Sequence, residues 1–273
     1  MDIRNIQSPP FNFSGSIPAH YDQFLGPMFF EPYAIEVCTR IDPASVRFVL
    51  EIGSGTGRVT RHLRAVIPSR AKLVASDISP DMLAIAKEKL KELHIDWQII
   101  DAQQLPFDDK TMDLVICCFG DMFVPDLPKA FAEAYRVLRD GGMLIFSTWD
   151  QLELNGASHT YRTIARNIPG VILPQNLNLP FSMTDHIAIK EILQVTGFSK
   201  IKIESIEKES IAESAKEAAN ALARSGFIYN EIMKRDPDLV EQIIETLEKE
   251  LGEKFGASPM IAPMKAVICQ AWK

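Results

Sequence analysis

An apolar run, Val46–Ile52, ends in the turn Glu51-Ile52-Gly53-Ser54-Gly55-Thr56-Gly57, and that turn limits the chain to few folds. Glycine admits positive φ and lets a ligand approach the backbone closely. Three alternate glycines also weaken regular structure, so their presence beside a strand needs a reason. Directly after them Val59, Leu63 and Val66 recur at helical spacing, so strand, glycine turn and helix form one unit.

The unit repeats. Leu73–Asp77 reads as a second strand, and Ser79 as an N-cap with Pro80 at the first helical position. The helix it opens is predicted through Leu93, with Met82, Ala86 and Leu90 inward. Trp97–Ile100 is a third strand, and Leu114–Cys118 a fourth, apolar throughout as a strand covered on both faces should be. Asp126 is placed as the cap of a helix through Leu138, closed by Gly141-Gly142, and Met143–Thr148 as a fifth strand. This alternation predicts an α/β, doubly wound, Rossmann-like sheet. Further on, Thr184–Gly197 reads as a helix, Lys200–Ser205 as a strand, Glu213–Arg224 and Leu239–Leu251 as helices, and Ala266–Trp272 as a last strand. The expectation is one domain over 1–273, with a seven-stranded, mostly parallel sheet whose last strand is antiparallel. Residues 42–149 form its cofactor-binding core, and 184–208 with 263–273 complete the sheet. Residues 1–41 are expected to be an N-terminal helical lid: an irregular arm through Phe13, then short helices broken at Pro27 and Pro32. Segments 150–183 and 209–262 interrupt the alternation just after strands, which makes them candidate helical cap insertions over the substrate or, alternatively, a dimer surface.

In sheets of this kind the ligand crevice lies at the C-terminal ends of the strands. Asp77 ends the second strand about 20 residues beyond the last glycine, where an acid can accept from ribose hydroxyls. A dinucleotide fingerprint would place its third glycine after a two-residue gap; that position is Arg58, and Gly57 comes one residue early. Glu51 before the first glycine is ill suited to a pyrophosphate. It suits a ligand bearing sulfonium and ammonium groups.

Four blocks then follow in order: Glu51-x-Gly53-x-Gly55-x-Gly57; Asp77-Ile78-Ser79-x-x-Met82; Asp101-Ala102 with Leu105-Pro106-Phe107; and Arg136-Val137-Leu138-x-x-Gly141-Gly142. Together they resemble class I S-adenosylmethionine-dependent methyltransferases of the ubiquinone/menaquinone-biosynthesis type, closely from Tyr21 to Trp149 and more loosely over Phe181–Phe198 and the final strand. The resemblance implies S-adenosyl-L-methionine as cofactor, with S-adenosyl-L-homocysteine as product. It further implies that Glu51, Gly53, Ser54 and Gly55 form the loop against the methionine portion and that Asp77 holds the ribose. Ile78 and Met82 would flank the adenine, while Asp101 and Ala102 read its edge. Cys118 and Phe119 would face the methionine carboxylate and sulfonium, and Tyr21 would serve as a lid residue. Ile78 and Met82 are equally compatible with core packing, and Asp101 with a loop start.

For the acceptor, Phe123, Tyr161 and Phe181 are the aromatics expected nearest, and His159, Tyr161 and His20 the candidate bases, none of them assigned. His186 with Asp185 reads as first-turn polarity of a helix. The sequence Cys118-Phe119-Gly120-Asp121 after the fourth strand lacks the Asn/Asp-Pro-Pro-aromatic motif of enzymes that methylate exocyclic or amide nitrogens. Asp121 and Asp126 do not make a metal cluster, so no metal is expected. A net charge of −7 disfavours a nucleic-acid partner. Cys38, Cys117, Cys118 and Cys269 have no regular spacing and read as reduced, which fits the cytoplasm. No apolar run approaches a membrane span. The expected function is methylation of a small, partly apolar C-, O- or N-acceptor by a monomer or homodimer. The alternatives are a non-catalytic cofactor-binding regulator and a methyltransferase acting on a protein partner.

Overall fold

The computed structural model describes residues 17–169, 173, 177–225, 229, 232–233 and 236–273. Seven strands form one sheet: β1 (Phe48–Ile52), β2 (Lys72–Asp77), β3 (Asp96–Ile99), β4 (Met112–Cys118), β5 (Leu138–Trp149), β6 (Lys200–Ala212) and β7 (Met260–Trp272). Their order is β3-β2-β1-β4-β5-β7-β6. β1 pairs in parallel with both β2 and β4, so the strand order reverses there, and β7 runs antiparallel to β5 and β6. A reversal between two parallel strands opens a crevice at their C-terminal ends.

The helices between the strands follow local chemistry. α3 (Arg58–Val66) starts at Gly57. α4 (Pro80–Lys89) is capped by Ser79, whose side chain accepts from the Met82 N–H, and α5 (Leu127–Val137) by Asp126, which accepts from the Lys129 N–H. α7 (His186–Thr196) is capped by Asp185, which accepts from Ile187 and Ala188, and closed by Gly197 at φ 118°. First-turn polarity is thus what Asp185 provides.

Several boundaries differ from the sequence reading. The helix after Ser79 stops at Lys89, short of Leu93. Gly141-Gly142 does not close a helix: α5 passes directly into β5 at Leu138, and the pair sits where the β4–β5 register shifts. Gly141 takes φ 79° there, its N–H donates to the Lys273 carbonyl, and the Lys273 N–H donates to the Gly142 carbonyl, so the residue after β7 is stitched into a bulge. β6 and β7 each run 13 residues and pair from end to end, well beyond Ser205 and back past Ala266. An edge strand with one wet face alternates polar and apolar residues, so its outer half does not read as a continuous apolar run.

The N-terminal region departs most. The arm through Phe13 lies outside the described residues. From Ile17 on there is no break at Pro27 or Pro32: α1 (Ile17–His20), a π-helical stretch (Tyr21–Phe30) and α2 (Glu31–Cys38) run on as one rod. Pro32 is the second residue of α2, and its fixed φ suits the helical backbone there. Pro27 lacks the N–H that an i→i+5 ladder would aim at the Asp22 carbonyl, and Arg58 Nη2 donates to that carbonyl instead, at 2.8 Å. A Cβ on Gly26 would lie 2.2 Å from Arg58 Nη2, so Gly26 leaves the room that the guanidinium fills. α2 is moored by Tyr33, fully buried, whose hydroxyl lies 3.0 Å from the Ile206 carbonyl and 3.1 Å from that of Met264.

The two late segments supply α6 (Gly156–Asn167), α8 (Ala215–Ser225) and α9 (Asp238–Phe255). On α9, Val240, Ile243, Ile244, Leu247 and Leu251 are buried within the chain, so this face is covered without a second copy. α8 packs on α9 and on the π-helical stretch, through a run of buried alanines and Leu222.

Gly57 shows how tightly the turn is specified. It has φ 82°, and a Cβ would come within 2.8 Å of Leu90 Cδ1 and 3.2 Å of Ala86 Cβ. The Gly57→Ala variant is therefore expected to lose about 2 kcal/mol of stability, left-handed strain and crowding together. Urea unfolding measures this, and a loss below about 0.5 kcal/mol would mean that the turn relaxes freely.

Candidate active site

A cavity of about 270 Å³ opens at the C-terminal ends of β1, β2 and β4. Its floor is the glycine turn, with Gly53 at φ 66° and Gly55 at φ 54°. The Ser54 N–H donates to the Ser76 carbonyl (2.8 Å) and the Gly55 N–H to Asp77 Oδ2 (2.8 Å), while Asp77 Oδ1 accepts from the Ser79 N–H (2.8 Å). Asp77 thereby pins the turn to the end of β2 and also lines the cavity. Burial raises its pKa, and the N–H groups of Ser79, Gly55 and Ile78 pull the other way. A Cβ on Gly55 would meet nothing within 4 Å, so the backbone there faces open space.

Around this floor stand Ile78, Met82, Asp101, Ala102, Cys118 and Phe119. Asp101 accepts from the backbone and side-chain N–H groups of Gln103, at 2.8 and 3.0 Å. Phe119 is a non-glycine residue at φ 57°, a conformation that costs about 1 kcal/mol and persists only when its surroundings enforce it. Its N–H donates to the Ser147 carbonyl (2.8 Å), and its ring stacks on Trp149 with centroids 4.3 Å apart. Phe30 and Tyr33 meet the Phe119 ring edge-on, at 5.2 and 5.6 Å.

Tyr21, from the π-helical stretch, closes one side; burial raises the pKa of its hydroxyl. The stretch is tied to the turn by Thr56, whose hydroxyl donates to Asp22 Oδ1 at 2.7 Å, and by Arg58, which donates to Glu31 Oε2 at 2.7 Å. Burial works against the charge of Glu31. Bonds from Arg58, His62 and Arg61 outweigh it and hold the carboxyl down at about 2.

The far end of the cavity is walled by Phe123, Tyr161 and Phe181, with Arg162, Trp149 and Leu222. On α6 the residues Ser158, Tyr161 and Arg162 share the inner face at helical spacing. His159 therefore points outward and is exposed, which removes it as a base. His20 does not line the cavity either and stacks on Phe24 at 6.0 Å. Of the three candidate bases only Tyr161 reaches the cavity. Its hydroxyl is buried with no partner among the described residues, and burial raises its pKa.

Glu51 and Ser54 also do not line the cavity. The alternation of β1 turns Glu51 into the interior, where Oε2 has no hydrogen-bond partner among the described residues and burial pushes the carboxyl up to about 8. Ser54 is buried between two positive-φ glycines, and its hydroxyl has no partner among the described residues. Sequence reasoning missed Trp149, Arg162, Gln103, Phe30 and Leu222 as lining residues. An aromatic at the C-terminal end of β5 was a readable signal for Trp149. The helical offset from Ser158 and Tyr161 was one for Arg162.

Residues 50–146 match the family described as a methyltransferase domain, Methyltransf_11. The matched span runs from β1 to Phe146 in β5 and so includes the glycine turn, Asp77, Asp101 and Phe119. This core is similar to a methyltransferase domain. The ubiquinone/menaquinone biosynthesis C-methyltransferase UbiE of Pseudoalteromonas translucida is 30% identical over 160 residues, which is 56% of this chain and 64% of that protein. The chain thus spans just under two thirds of that relative's length. Among solved structures, Haemonchus contortus phosphoethanolamine N-methyltransferase 2, in complex with phosphomonomethylethanolamine and S-adenosylhomocysteine, superposes with a TM-score of 0.59. The sequences are 17% identical, and the match covers 94% of this chain and 56% of that one. The [4+2]-cyclase SpnF superposes with a TM-score of 0.54 at 18% identity, covering 89% of this chain and 81% of that one. These likenesses are of fold. Segments 150–183 and 209–262 lie outside the matched residues 50–146.

Proposed function

We propose that the chain is an S-adenosylmethionine-dependent methyltransferase acting on a small, partly apolar acceptor. The observation that carries this reading is the Asp77 carboxylate at the rim of an open glycine floor, in a cavity that continues into an aromatic chamber. The donor set fits the cofactor. Asp77 can accept from ribose hydroxyls, Ile78 and Met82 offer apolar faces to a flat ring, and Asp101 with Ala102 can read the edge of that ring. Gly53 and Gly55 leave room beside the backbone, Cys118 and Phe119 border the sulfonium end, and Tyr21 covers it. Glu51 and Ser54 act from beneath the turn, as support rather than contact.

When bound, S-adenosylmethionine supplies a methyl group already activated on sulfur, so the protein's part is alignment, desolvation and tuning of the acceptor. Trp149 and Phe119 form a flat apolar wall for the acceptor. The Tyr161 hydroxyl is placed to hydrogen-bond an acceptor oxygen or nitrogen, and it stays protonated at neutral pH. The cap helices α6 and α8 exclude water from the chamber. Tyr161 and Leu222 put both segments at one cavity, which supports a cap role over a dimer role and favours a small molecule over a protein acceptor. Among the described residues no helix is long and apolar enough to cross a membrane, and the four cysteines are unbridged. Both facts support a cytoplasmic site of action.

The same fold serves a cyclase, so fold alone does not fix the reaction. Incubation with methyl-labelled S-adenosylmethionine and a panel of hydroxyarenes, amines and activated carbon acids should yield labelled product from at least one small acceptor. Binding of S-adenosylhomocysteine without label transfer to any acceptor would favour the non-catalytic reading. Tighter binding of NAD than of S-adenosylhomocysteine would overturn the cofactor.

A further inference from the structure

The far wall of the cavity holds a buried cation that no described residue neutralises. Arg162 is 6% exposed and lines the chamber. Its guanidinium lies over the Phe181 ring, 4.7 Å from the centroid, and Nη1 donates to Asn178 Oδ1 at 2.8 Å. Among the described residues no carboxylate lies within 4.0 Å of it, and the other guanidinium nitrogens have no acceptor. Asn178 and Phe181 therefore fix the plane of the fork and leave its remaining donors unmatched. Burial and the nearby Arg166 lower its pKa to about 10, which keeps it charged at neutral pH. A buried guanidinium without a counter-charge is costly, and a planar carboxylate is the group that its fork accepts in bidentate fashion.

Its place along the cavity separates it from the glycine floor. Gly53 neighbours Gly120, Phe119 follows, Trp149 stacks on Phe119, and Phe181 lies 6.5 Å from Trp149 with Arg162 against it. The carboxylates of the cavity, Asp77 and Asp101, belong to the floor end. The cavity is thus acidic at one end, aromatic in the middle and cationic at the other.

Resting on the methyltransferase reading, we propose that Arg162 is a specificity-determining residue and that the acceptor is a ring-bearing acid: a flat apolar body held against Trp149 and Phe181, with a carboxylate on Arg162. The Arg162 end recognises the acid group, and the opposite end of the ring presents the methyl-accepting atom to the floor.

The test uses calorimetry on the full chain, with and without saturating S-adenosylhomocysteine, and two isosteric probes, 2-naphthoate and 2-naphthamide. Wild-type protein should bind the acid at least about tenfold more tightly than the amide, the scale of a charge-assisted bond in a dry site. Arg162→Gln should abolish that preference. Asn178→Asp, which sets a carboxylate beside the guanidinium with little change of shape, should abolish it too and guards against a variant that fails to fold. Both variants should keep wild-type affinity for S-adenosylhomocysteine within about threefold, because Arg162 is not part of the floor. Equal binding of acid and amide by the wild type, or a preference that survives both substitutions, would overturn the proposal. So would loss of S-adenosylhomocysteine affinity with Arg162, since the guanidinium would then serve the cofactor's own carboxylate. Failure of the parent reading shows separately, as absence of S-adenosylhomocysteine binding to the wild type, and the probe titrations on the free protein still decide Arg162.

Discussion

Replacing Asp77 with alanine is expected to weaken binding of S-adenosylhomocysteine by about 100-fold, roughly 3 kcal/mol. Two losses add. The carboxylate is the acceptor proposed for the ribose hydroxyls, and charge-assisted bonds of this kind are the strong ones. It also holds the Gly55 and Ser79 N–H groups at 2.8 Å each, so without it the glycine floor is released from the end of β2. Asp77→Asn separates the two. It keeps a carbonyl oxygen for one N–H but loses the charge and the second acceptor, and it should fall between wild type and alanine. Calorimetry on the three proteins reads the effect. Unchanged affinity in Asp77→Ala would mean that the ligand does not sit at this floor.

The second large effect is on stability, and it depends on pH. Glu51 is 3% exposed, its Oε2 has no partner among the described residues, and its pKa is pushed up from 4.5 to about 8. Burial is the main cause, and the charge of Asp77 adds to it. A carboxyl with a folded-state pKa above its unfolded value favours the fold while protonated. That contribution is complete below pH 4.5 and is lost as the pH rises through about 8. Glu51→Gln cannot ionise, so it should match the wild type near pH 4.5 and become the more stable protein as pH rises. The gap should reach on the order of 5 kcal/mol above pH 8. Urea unfolding at pH 5 and pH 9 measures it. A gap that does not widen with pH would show that Glu51 is already ionised in the folded protein.

How much of this was legible in the sequence can be judged from particular elements. The Ser79 and Asp126 caps depend on interactions within a few residues, and the glycine turn and the strand ending in Asp77 announce themselves by residue type and periodicity; all were read correctly. The continuous rod from Ile17 to Cys38 was not. Its Pro27 is tolerated because Arg58, 31 positions further along the chain, donates to the carbonyl that the proline leaves open. Gly141-Gly142 misled for a similar reason: the glycines answer to Lys273, just past β7, not to the helix before them.

The sequence by itself determined the βα alternation, the strand that ends in the glycine turn, and the acid at the end of the next strand. Short-range periodicity and backbone chemistry suffice for these. Only the tertiary structure decided which side chains face the cavity. It turned Glu51 and Ser54 inward and His159 outward, stacked Phe119 on Trp149, and set Arg162 over Phe181 with no acid among the described residues to meet it. The physical reason is that the far end of the cavity is assembled from the N-terminal rod, the ends of β4 and β5, and two segments distant in sequence. A side chain's direction there is fixed by what packs against it, and local periodicity carries no record of that.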